Sequence, residues 1–150
     1  MNILIVYETY SGGTLSAVEF IQKVLSNNNH SITIKRAGET KAEEFASFDF
    51  IIFGSPSWLE NDKDGQPHQN FLILIENASN VSLTGKKFAI FGLGDESYAH
   101  FCGGVDVLKN FIIEKGGEVT AEPLKIDNFY MDIQKYEAIM SEWLSTLPLK

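Results

Sequence analysis

The sequence predicts an α/β fold, a doubly wound parallel sheet of five strands with helices on both faces. Three observations carry that prediction. Short apolar runs alternate five times with segments whose apolar residues recur at helical spacing. The central runs, such as Asp49-Phe50-Ile51-Ile52-Phe53-Gly54, are apolar at nearly every position, as in a parallel strand covered on both faces. The first, third and fourth runs each lead into a turn carrying glycine, serine or proline, and in such sheets these turns share the edge where ligands bind.

Ile3-Leu4-Ile5-Val6 is the first strand. Leu15, Val18, Ile21, Val24 and Leu25 then form one face of a helix that Asn27-Asn28-Asn29 ends. Ser31-Ile32-Thr33-Ile34-Lys35 alternates and is β-branched, a second strand with one wetter face. The polar segment through Glu43-Glu44-Phe45 reads as a weak helix ahead of the third strand. From Ser55 to Gln69 the chain turns polar, and Glu60, Asn61, Asp62, Lys63, Asp64 and Gly65 predict a long exposed loop around Trp58. Pro67 suits the first turn of the next helix, which carries Phe71, Leu74, Ile75 and Ala78. Phe88-Ala89-Ile90-Phe91 is the fourth strand, followed by a helix through Val105, Leu108, Phe111 and Ile112 that stops at Gly116-Gly117. Glu118 to Ile126 supplies the fifth strand and Ile133 to Leu147 the last helix, with Trp143 on its apolar stripe.

With 150 residues and 44% hydrophobic content, residues 1–150 fit a single domain with a two-faced core. The longest apolar runs are far too short to span a bilayer, and the N-terminus lacks a basic leader, so a soluble cytoplasmic protein is expected. The one cysteine, Cys102, cannot form an internal disulfide. A formal charge of −8, from 20 acidic and 12 basic residues, argues against nucleic acid or an anionic membrane as partner and favours a basic protein.

The stretch Thr9-Tyr10-Ser11-Gly12-Gly13-Thr14 joins the first strand to the first helix. Such a turn aims free backbone N–H groups and the positive end of a helix dipole at one point, and Thr9, Ser11 and Thr14 add hydroxyl donors. It lacks the lysine of a triphosphate loop and the glycine spacing of the dinucleotide fingerprint, so it suits a terminal monophosphate. Taken alone, the same turn is equally a plain connection with a good helix start. Two further turns bear aromatic side chains: Trp58 follows Ser55-Pro56-Ser57, and Tyr98 follows Gly92-Leu93-Gly94-Asp95. Both lie outside any helical or strand stripe and could sandwich a flat ring, whose polar edge the backbone around Gly92, Gly94 and Asp95 could serve. No nucleophile and base pair or metal cluster is apparent; Cys102 lacks an activating partner, and His100 reads as a surface residue.

These three turns together resemble the flavodoxin family, over nearly the whole chain. The most specific stretch runs from Gly92 to Asp106, where the glycine pattern, Tyr98, Phe101-Cys102-Gly103 and Val105-Asp106 fall in family register. The resemblance is to a short-chain flavodoxin and implies flavin mononucleotide (FMN), held non-covalently by Thr9 to Thr14, by Ser55, Pro56, Ser57, Trp58 and Leu59, and by Gly92, Leu93, Gly94, Asp95, Tyr98, Phe101 and Cys102. At Asp95 and Cys102 it implies main-chain contacts. It further implies a low-potential one-electron carrier, not an enzyme, working between a reductase and acceptor proteins; the acidic charge points to basic surfaces on those partners, and the absence of an obvious apolar surface patch favours a monomer. Asp62, Asp64, Asp95 and Glu96, on the loops around the ring, would disfavour added negative charge there. The competing readings are a flavin-dependent quinone or nitro reductase, which needs a substrate pocket, and a partner-activating domain that has kept the fold. Two departures stand out. Leu59 occupies a place where the family commonly has Gly or Asn, which implies weaker support of the half-reduced ring, and Val18 stands where an Ala is usual in the first helix, a change of packing only; Glu8 and Tyr10 in the first loop are also unusual, and Glu8 beside a phosphate must turn its side chain away.

Overall fold

The computed structural model describes residues 1–60 and 62–150, with the backbone alone at 59 and 60. Its strands are β1 (Asn2–Tyr7), β2 (Ser31–Arg36), β3 (Phe50–Glu60), β4 (Lys63–Pro67), β5 (Lys87–Gly94), β6 (Glu118–Val119) and β7 (Leu124–Asp127). The helices are α1 (Gly13–Asn27), α2 (Gln69–Asn77), α3 (Gly103–Glu114) and α4 (Ile133–Thr146). The parallel row runs β2-β1-β3-β5-β6, with β7 also on β5, so the direction of winding reverses between β1 and β3. That reversal opens a crevice beyond the carboxyl ends of the strands.

Alternation along each strand divides the core. Ile3, Ile5, Phe50, Ile52, Ala89 and Phe91 face α1 and α4, where Val18, Ile21, Met140 and Trp143 meet them. Leu4, Val6, Ile51, Phe53, Phe88 and Ile90 face α2 and α3, meeting Phe71, Leu74, Leu108 and Ile112. Both faces of each central strand are thus covered, the reason those runs are apolar without alternation. No helix among the described residues is long and apolar enough to cross a membrane.

Four expectations are corrected. The long loop after the third strand is a hairpin: β3 continues past the sheet and β4 returns antiparallel to it, pairing Ser57 with Pro67 and Trp58 with Gln66. Its polar residues conceal it, because the ladder is made by backbone groups and the hairpin is held by packing on the start of α3. Gly65 (φ +68°) lies so close that an added Cβ would stand 2.5 Å from His100 Cβ, and one on Gly103 would stand 2.7 Å from the Gly65 carbonyl oxygen. Pro67 therefore ends β4 and does not open α2, whose N-cap is His68. The weak helix is a 3-10 helix over Ala42–Ser47, its first turn closed by the Lys41 N–H donating to Glu44 Oε2 at 2.7 Å. The fifth strand is split: between Phe88↔Val119 and Phe91↔Leu124, three steps of β5 lie opposite five, and the interruption contains Pro123, which has no N–H for the ladder.

Candidate functional site

At the carboxyl edge, the segments after β1, β5 and β7 meet the β3–β4 hairpin around a cleft of about 330 Å³. It is lined by Thr9, Tyr10, Ser11, Gly13 and Thr14 of the first loop, by Pro56, Ser57 and Trp58 of the second, and by Leu93, Gly94, Asp95 and Tyr98 of the third. An adjoining hollow of about 280 Å³ reaches Asp64, His100 and Cys102.

The first loop has the make-up of a candidate anion seat. Gly12 takes a left-handed conformation (φ +93°), and α1 starts at Gly13 with no side-chain cap and no acidic residue in its first turn. The Gly12 N–H donates to Thr9 Oγ1 at 2.8 Å, which leaves the Thr9 hydroxyl proton available to another acceptor. Ser16 Oγ donates back to the Gly12 carbonyl at 3.1 Å. Thr14 is buried at the base.

Glu8 turns away from the first loop, the direction expected of it from the sequence. Its fully buried carboxylate accepts from Arg36 Nε at 2.6 Å, the Gly38 N–H at 3.1 Å and Asn70 Nδ2 at 2.7 Å. Burial raises its pKa, but the bonds from Asn70, Arg36 and Gly38 outweigh that and hold it below the usual carboxylate range.

At the other end stand two aromatic plates, Trp58 and Tyr98, with 50% and 63% of their surfaces exposed. Tyr10 meets Trp58 edge-on, with centroids 5.4 Å apart, and stacks on His68 at 4.2 Å, so besides lining the cleft it props Trp58. Ser55 does not reach the cleft; its buried Oγ donates to the Pro56 carbonyl and accepts the His68 N–H at 3.0 Å, pinning the loop to the start of α2. Gly92 lies behind the site against Val105, where a Cβ would be 2.4 Å from Cγ2. Phe101 packs partly buried on the α2 and α3 side of the core. Gly12 shapes its loop from outside the lining. The Leu59 side chain lies outside the described residues, and with it the expectation about the half-reduced ring.

Cys102 serves as a bend. It takes φ +49° as N-cap of α3, and its thiol points inward to the Gly92 and Ile126 carbonyls at 3.6 and 3.9 Å. Burial pushes this thiol up to about 12. Gly94 must be glycine beside it, since a Cβ would stand 2.9 Å from the sulfur. His100 is exposed, as expected, but faces Asp64 of the hairpin at 3.1 Å. The His100 side chain holds Asp64 below the ordinary carboxylate range, and the Ser97 hydroxyl and N–H do the same for Asp95, so both are ionised at neutral pH. Among the described residues no cluster of His, Cys, Asp and Glu could hold a metal.

Sequence reasoning missed the fourth wall, Asn128 to Met131 after β7. The same carboxyl-edge rule that marked the other loops applies to the fifth strand and would have found it.

The family model for flavodoxin matches residues 5–143. The chain belongs to the flavodoxin family. A probable flavodoxin of Bacillus subtilis is 35% identical over 128 residues, covering 85% of this chain and 82% of that one. Oxidised flavodoxin 2 of Bacillus cereus superposes with a TM-score of 0.81 at 29% identity, covering 98% of this chain and all of that one (100%). A Fusobacterium nucleatum flavodoxin solved with flavin mononucleotide bound shares the fold, with a TM-score of 0.82 at 20% identity over 96% of this chain and 95% of that one. The short flavodoxin form expected from the sequence agrees with this full-length match.

Proposed function

We propose that the cleft seats FMN and that residues 1–150 work as one cytoplasmic domain, a monomer that shuttles single electrons at low potential between a reductase and acceptor proteins with basic surfaces. The class of activity follows from the family: an FMN-dependent electron carrier, not an enzyme. The observation that carries the fit is the joining, in one cleft, of an uncapped, carboxylate-free helix start with two solvent-facing aromatic plates.

The donor set matches a phosphate monoester. The first N–H groups of α1 and the hydroxyls of Thr9, Ser11 and Thr14 would hold it, with no lysine to bring a full positive charge. Trp58 and Tyr98 would flank the flat ring, and the backbone from Gly94 to Asp95 and at Cys102 would serve its polar edge. Bound FMN supplies reversible one-electron chemistry at the mouth of the cleft. Asp64 and Asp95, kept ionised by their neighbours, with exposed Asp62 and Glu96, oppose added negative charge near the ring and so favour giving electrons away. The same carboxylates orient a basic partner, weakly and with salt dependence, as suits rapid exchange.

The test is titration of flavin-free protein with FMN, followed by anaerobic reduction of the complex. Expected are one FMN per chain, quenched flavin fluorescence, and two separable one-electron steps, the second at a lower potential than in free flavin. A protein that binds no FMN, or one that turns over nicotinamide donors with small-molecule acceptors, would refute the proposal.

A further inference from the structure

The segment after β7 closes over the anion seat from outside. Tyr130 Oη donates to the Ser11 carbonyl at 3.0 Å, and its ring lies so near α1 that a Cβ on Gly13 would stand 3.2 Å from Tyr130 Cε2. That carbonyl and the Gly12 N–H belong to one peptide plane and point in opposite directions. The N–H is the one that donates to Thr9 Oγ1. Three groups thus stand in series: the Tyr130 hydroxyl, the peptide between Ser11 and Gly12, and the Thr9 hydroxyl.

We propose that Tyr130 is a positioning residue for the phosphate of the bound cofactor, acting through the peptide between Ser11 and Gly12 to hold the Thr9 hydroxyl as a donor into the seat. The inference rests on the cleft holding a flavin phosphate. The mechanism is local. With the carbonyl anchored outward, the plane cannot rotate, the N–H stays on the Thr9 oxygen, and the Thr9 proton has the seat as its outlet. Each bond in such a series polarises the next. Tyr130 therefore reads the phosphate without touching it, and its effect should vanish for a ligand that has the ring and ribityl chain but no phosphate. A tyrosine that merely covers the cleft would act on both ligands alike.

The experiment compares FMN and riboflavin, titrated by flavin fluorescence into flavin-free protein of the full chain. Tyr130→Phe removes the hydroxyl and keeps the ring. It should weaken FMN about three- to tenfold, the range of one hydrogen bond, and leave riboflavin unchanged. Thr9→Ala should lower the FMN-to-riboflavin preference by itself, and adding Tyr130→Phe to it should change that preference less than about twofold, since the series is already cut. Riboflavin binding doubles as the control for folding. Equal losses on both ligands, no loss on either, or additive effects of the two substitutions would overturn the inference. Wild-type protein that binds neither ligand would overturn the cofactor assignment itself, a result distinct from a wild type that prefers FMN with a silent Tyr130→Phe.

Discussion

Replacing Glu8 with alanine tests how the first loop is supported from behind. The carboxylate is fully buried and accepts three hydrogen bonds, from Arg36, Gly38 and Asn70. Hydrogen bonds to a charged group contribute about 1.5–3 kcal/mol each when buried. The Arg36 share is smaller: its side chain is 42% exposed, so water takes over the guanidinium and that contact falls to below about 1 kcal/mol. Asn70 Nδ2 and the Gly38 N–H lose partners in a part-buried place. Because the three bonds share one carboxylate they do not add, and the expected loss for Glu8→Ala is about 2–4 kcal/mol. In a protein of this size that lowers the melting temperature by roughly 5–15 °C. The assay is urea and thermal unfolding of flavin-free protein, which keeps cofactor linkage out of the comparison. The pH dependence has a fixed sign. A carboxylate whose folded pKa is depressed contributes stability above its unfolded pKa, near 4.5, and loses it as pH falls through the lower folded value. The gap between wild type and Glu8→Ala should therefore be full at pH 6–7 and shrink below about pH 4. A gap under about 0.5 kcal/mol at pH 7, or one that does not change down to pH 3, would refute the reasoning.

Three other outcomes are expected. Gly54→Ala places a Cβ 2.2 Å from the Phe91 ring that covers it across the β3–β5 ladder; the strain should cost about 1–3 kcal/mol in urea unfolding, and Phe91→Leu should relieve part of it. Cys102 should react with a thiol reagent at pH 8 more than about a hundredfold more slowly in folded protein than in urea, because burial keeps the thiolate scarce; fast labelling of folded protein would contradict its placement. Trp58→Ala should weaken FMN about ten- to a hundredfold while leaving the unfolding midpoint of flavin-free protein nearly unchanged, since half of the indole already faces solvent.

The sheet was legible because its signals are local. Ile3 to Val6, Phe50 to Phe53 and Phe88 to Phe91 are buried on both sides and show it in composition alone. Trp58 and Tyr98 were legible because they break the pattern of their surroundings, and the direction of Glu8 because a carboxylate next to a loop rich in anion-type donors has only one tolerable direction if that loop takes a phosphate. The β3–β4 hairpin was not. Lys63, Asp64 and Gly65 are poor strand formers, and the pairing of their strand depends on where the start of α3 lies in space. The split in the fifth strand depends on register against β5, which no stretch of one chain displays. Tyr130 was hidden for a different reason: its contact with Ser11 spans 119 residues and joins a side chain to a carbonyl, an acceptor every residue has.

The hairpin changes how the two aromatic plates relate to each other. Trp58 rides on β3, and the hairpin is fastened to the loop of Tyr98 at three levels: the bare backbones at Gly65 and Gly103, the Gly104 N–H on Ser57 Oγ at 2.9 Å, and Asp64 facing His100. The two plates are thus tied to each other through the scaffold itself. For a flavin seated between them as proposed, such bracing holds the surroundings in place as charge enters and leaves, and a small nuclear rearrangement per electron is what lets transfer run quickly at a modest driving force.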